Sequence, residues 1–107
     1  MHLVTEMEAP NFNLSPLVID HIQRLFPEEN QRVVKLRLHE ECGGRLYRQM
    51  DWTTVTERVH CAIIKLSEGD MDGLDQAITL FQENWKKVLI EAGFGEDPNA
   101  HIKWSEE

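Results

Sequence analysis

Residues 70–95 read DMDGLDQAITLFQENWKKVLIEAGFG, and this stretch decides the fold. Eight apolar residues, Leu74, Ala77, Ile78, Phe81, Trp85, Val88, Leu89 and Ala92, recur in it at helical spacing without a miss. At about 100° per residue they fall within roughly 60° of one line along a helix, a face that water would penalise and a core would not. Upstream, Trp52, Val55, Val59, Ala62, Ile63 and Leu66 draw a second stripe of the same period. Only the short turn Glu68-Gly69-Asp70 separates the two, so the helices fold back on each other with stripes facing. An antiparallel helical hairpin is expected at the centre of the fold, with Trp85 buried mid-stripe against the preceding helix.

Working outward, the same reading gives two earlier helices. Ser15-Pro16 is a helix start, a hydroxyl cap followed by proline at the first helical position. Val18, Ile22, Leu25 and Phe26 supply an apolar face, and Pro27 closes that helix. Pro27-Glu28-Glu29 opens the next element, its acids favoured by the helix dipole. Residues 33–38 are ambiguous. Val34, Leu36 and Leu38 alternate with Lys35, Arg37 and His39 as in a strand, whereas as a helix Val33, Val34, Leu36 and Leu38 cover a face about 200° wide. The proline-acid entry and the length before Gly43-Gly44 favour helix, ended by the double glycine. Residues 45–50 form a link, and either Asp51 or a Thr54/Glu57 capping box starts the third helix, which runs to about Leu66. The fourth opens at Asp70 or Asp72 and ends at Gly93 or Gly95. The expectation is one all-α domain over residues 1–107, a bundle of about four helices, with an arm at 1–14, a helical core at 15–92 and a tail at 93–107, polar from Glu96 onward except for Ile102 and Trp104.

A chain of 107 residues with net charge −8 has room for one core only. Its charge is uneven: residues 24–65 carry eight bases and six acids, residues 66–107 three bases and ten acids. An acidic C-terminal half repels phosphate backbones and suits a basic protein partner, so nucleic acid is not the expected ligand. No apolar run approaches the ~20 residues of a membrane span. The first residues have neither the basic flank nor the apolar stretch of a secretory signal. Two cysteines, Cys42 and Cys61, are too few for a disulfide framework. A cytoplasmic protein is expected.

Residues that carry chemistry are sparse. Glu68-Gly69-Asp70-Met71-Asp72-Gly73 resembles a calcium loop, but aligning Gly73 with its glycine puts Thr79 where the bidentate glutamate belongs. Asp70 and Asp72 are better read as the cap and first-turn acid of the fourth helix. His39 and Cys42 share a helix face at ligand spacing, and His60 is the other group that could join them in a metal site or a Cys/His nucleophile pair. His60 and Cys61, being adjacent, point about 100° apart and do not converge. Neither a phosphate-binding glycine loop nor a nucleophile elbow is present. No cofactor or metal is expected. The basic residues Arg32, Lys35, Arg37, Arg45 and Arg48 are expected to pair with Glu28, Glu29, Glu40 and Glu41.

Arg58-Val59, Ala62-Ile63-Ile64-Lys65-Leu66, Gly69-Asp70 and Trp85-Lys86-Lys87-Val88-Leu89 with Ala92 resemble a pattern shared by small, uncharacterised bacterial proteins of this size. The resemblance covers residues 58–94, with Asn84 standing where that pattern has an acid. It implies an all-helical bundle and brings no activity with it.

Ile64 and Ile90 lie on the sides of their helices away from the stripes. With Trp104, Ile102, Leu3, Val4 and Met7 they mark either arms packing back or a partner surface, and small helical hairpins commonly bury such a face by dimerising. The function expected is therefore a non-catalytic protein–protein interaction module, homodimeric, with Ile64, Ile90 and Trp104 at its surface. Two alternatives stand beside it: a small enzyme or metal-binding protein using His39, Cys42 and His60, and an acidic inhibitor or immunity-type protein that binds a basic partner.

Overall fold

A computed structural model describes residues 14–42, 52–97 and 99–105. Among them are six helices and no strand: α1 Pro16–Leu25, α2 Glu28–Glu41, α3 Trp52–Ser67, α4 Met71–Glu83, α5 Trp85–Glu91 and α6 Ala100–Ser105. The all-helical expectation holds. The arm before Leu14, the Gly43-Gly44 stop, the Asp51 and Thr54 caps, and the side chains of Trp52 and Val55 lie outside the described residues.

Local chemistry explains where the chain enters and leaves each helix. The Ser15 hydroxyl accepts the Val18 N–H at 3.3 Å, and Pro16 occupies the first turn of α1. Glu28 and Glu29 fill the first turn of α2. Residues 33–38 are helical within α2, and only Val34 and Leu38, one turn apart, are buried. Val33 remains 45 % exposed, so α2 lies along the bundle as a surface helix and is not wedged between neighbours.

The turn after α3 is tight. Glu68 and Gly69 both take positive φ, and a Cβ added at Gly69 would stand 2.4 Å from the Leu25 carbonyl oxygen at the end of α1. The Asp70 carboxylate then accepts the Gly73 N–H at 3.0 Å and caps α4. This is the capping role expected of Asp70.

Two expectations for the hairpin need correction. Its second arm is two helices, because Asn84 breaks the run at φ −165° and ψ 104°. The Asn84 backbone N–H closes α4 on Leu80 O, while its side-chain oxygen accepts the Lys86 N–H and opens α5. Trp85 therefore begins α5, half-buried, instead of sitting at the middle of a continuous stripe. The second correction concerns Ile64, which is fully buried and no part of the molecular surface. Helix α3 is packed by α1, α4, α5 and α6, and Cys61, Ala62, Ile63 and Ile64 are all inaccessible to solvent. The facing stripe was only one of the faces that α3 buries.

The C-terminal segment packs back on the core. Helix α5 ends at Gly93, which takes φ 83°; its N–H bonds Ile90 O at 3.0 Å and that of Phe94 bonds Leu89 O at 2.8 Å, a Schellman closure. Phe94 turns into the core, and α6 packs back on α3 with His101 buried.

Candidate functional site

His39 and Cys42 come from the last turn of α2, and His60 from the middle of α3 opposite them. The structure does bring these three together, yet not as a reactive set. His60 Nε2–H donates to the backbone carbonyl of Cys42 at 3.2 Å, so the Cys42 Sγ is not its partner. Burial, followed by the nearby His39, pushes His60 down to about 4, against the help of that carbonyl, so the ring is neutral at physiological pH. Burial raises the Cys42 thiol to about 12, with Glu41 adding to it, and raises Cys61 as well. A buried, protonated thiol beside a carbonyl-bound imidazole lacks the thiolate that a nucleophile needs. Among the described residues, no three His, Cys, Asp or Glu side chains are grouped to hold an ion.

A second histidine cluster was not singled out from the sequence. His21 on α1 and His101 on α6 are 3 % and 2 % exposed. His21 stacks on Trp104 with ring centroids 4.1 Å apart and planes 15° from parallel. His101 Nε2–H donates to Glu57 Oε1 at 3.0 Å, and its ring tilts against Phe94. Two cations of α3 hold the connection to α6: Arg58 donates to Phe94 O at 2.7 Å, and Lys65 donates to Ala92 O at 2.8 Å while lying over the Phe94 ring. Trp104, expected at a partner surface, thus packs back on the chain itself. The sequence did carry a signal for His21, which lies three residues after Val18 and next to Ile22 on the buried face of α1.

Among the described residues, open depressions lie along α4 and α5. Asp75, Gln76, Thr79, Leu80 and Glu83 line one, and Leu66, Gly73, Gln76, Ala77, Leu80 and Glu91 line the next. They share Gln76 and Leu80, so together they make a shallow groove with an apolar floor (Leu66, Ala77, Leu80) and an acidic rim (Asp75, Glu83, Glu91). The third is lined by Ile90, Gly93, Gly95, Glu96 and Asp97. Among the described residues, no base lines any of the three. At the rim, Arg37 of α2 pairs with both Asp75 and Glu41, whose carboxylates hold the guanidinium charged. Ile90 is 65 % exposed, at the surface as its place off the stripe implies. Comparison with protein-family models, with curated proteins and with solved structures returned no match.

Proposed function

We propose that this protein is a non-catalytic binding module that takes a basic, amphipathic protein segment on the groove of α4 and α5. The observation that carries this reading is the lining of that groove: apolar side chains on its floor and, among the described residues, carboxylates on its rim, of which Asp75 already holds a guanidinium. Such a surface offers burial to the apolar face of a partner helix and complementary charge to its Lys and Arg, while steering the encounter. Arg37, seated on Asp75 and Glu41, occupies the rim as a partner's guanidinium would. The free, buried cysteines suit a reducing compartment such as the cytoplasm. Self-association through Ile90 is the second reading, favoured by that residue's exposure beside a depression.

The test is titration of the whole protein with a helical peptide bearing Leu on one face and Lys on the other, next to a Lys-only peptide of equal charge. Expected are preference for the amphipathic peptide and weakening of its binding by about tenfold or more in Leu80→Gln and in Glu83→Gln/Glu91→Gln. Equal binding of both peptides, or indifference to those substitutions, overturns the reading.

A further inference from the structure

Helix α6 is six residues long, and aromatic and imidazole rings do much of the work of holding it. Trp104 lies flat on His21, His101 reaches Glu57, and Ala100 and Trp104 lean on the core. His21 Nε2 and His101 Nδ1 are each buried with no hydrogen-bond partner. We propose that α6 is a clasp released by acid, with His21 as the group whose protonation opens it.

A neutral imidazole tolerates one idle ring nitrogen, since only its other nitrogen carries a proton to place. The imidazolium carries N–H on both, so the His21 Nε2–H would stand in a dry site with no acceptor. Lifting Trp104 off the ring admits water to that nitrogen. The charged groups that act on His21 are Arg24 and Asp20 on its own helix and His101 on α6. Burial holds its pKa below that of a free histidine, Arg24 and His101 add to this, and Asp20 opposes it. Asp20 also pairs with Arg24 at 2.8 Å, which divides its charge between the two. From α3, Glu57 is taken up by His101, and Arg58 and Lys65 by backbone carbonyls. Among the described residues, no carboxylate on that side is left to His21 alone.

The sign follows directly. The released state takes a proton at the ordinary histidine value of about 6.5 and the docked state resists it, so release grows as pH falls below that value. His101 already donates to Glu57 through Nε2–H, so that contact needs no further proton, and its presence beside His21 disfavours a charge on the His21 ring. Opening therefore depends on His21, and a chain in which that ring cannot titrate keeps its clasp shut.

Hydrogen–deuterium exchange of the full chain, corrected for intrinsic rates, tests this between about pH 7.5 and pH 5.5. Amides of α6 are expected to gain about tenfold in exchange on acidification in the wild type. His21→Phe keeps a ring for Trp104 to stack on and should abolish that gain while leaving the response of α4 unchanged. If α6 gains nothing on acidification, or His21→Phe responds there as the wild type does, the clasp is wrong. Should His21→Phe fold poorly, the His21 ring is followed by nuclear magnetic resonance in the wild type and in Trp104→Leu. Its titration is expected below the free value in the first and closer to it in the second, and an identical midpoint in both overturns the proposal.

Discussion

At the scale of single residues, the buried imidazole of His60 couples stability to pH. Its pKa is about 4 when folded, pushed down mainly by burial, against about 6.5 in an unfolded chain. Between those values the unfolded chain binds more protons, so the stabilisation is complete above about pH 6.5 and is lost as pH falls toward 4, to the extent of about 3 kcal/mol. Urea denaturation should show that acid limb, and His60→Gln, which keeps a donor for Cys42 O but cannot titrate, should flatten it even if packing costs it stability at neutral pH. Gly69 makes a second residue-scale case. Its φ of 78° and the Leu25 carbonyl oxygen, which would stand 2.4 Å from an added Cβ, leave no space for a methyl group. Gly69→Ala should cost about 1–3 kcal/mol, read as a lower denaturation midpoint with an unchanged slope.

At the scale of elements, the hydrophobic period located the helices but did not show how they join. The stripe from Leu74 to Ala92 keeps phase across Asn84, because one extended residue between two helices hardly disturbs the spacing of apolar positions. The break was therefore hidden from periodicity, although asparagine is among the best N-caps and stands here where the resembled pattern has an acid. Asn84→Ala should cost about 1 kcal/mol by leaving the Lys86 N–H without its acceptor, while Asn84→Asp should stay near the wild type. Chemical denaturation of the pair separates a working cap from a passive linker. Helix α6 was missed for another reason: six residues are too few for a 3.6-residue period to stand out. The cue was Asp97-Pro98, a turn signal, and the Asp97 carboxylate accepts the Asn99 N–H at 2.9 Å just ahead of α6. Ile64 was misplaced because a stripe marks the most apolar face of a helix and is silent on the number of neighbours. Helix α3 has them on every side, and the rings of His60 and His101 become legible only once those neighbours are in position.

At the scale of the whole molecule, charge decides between the two ways the outer face of α4 and α5 can be used. The chain carries −8 overall, and ten of its nineteen acids fall in residues 66–107 against three bases. Self-association through Ile90 would bring two copies of this surface, with Glu91, Glu96 and Asp97 close by, face to face. Like charges so placed repel over about 10 Å at moderate salt. A stable dimer also asks for about 800 Å² from each partner, far more than one exposed isoleucine supplies. The expected mass in light scattering at low ionic strength is therefore that of one chain, 12.5 kDa. Ile90→Asp should change neither that mass nor the folding stability by more than about 0.5 kcal/mol, whereas Ile64→Asp puts an unpaired charge into the core and should prevent folding. A dimer at low salt that Ile90→Asp dissociates would give the face to a second copy of the chain instead of a basic partner.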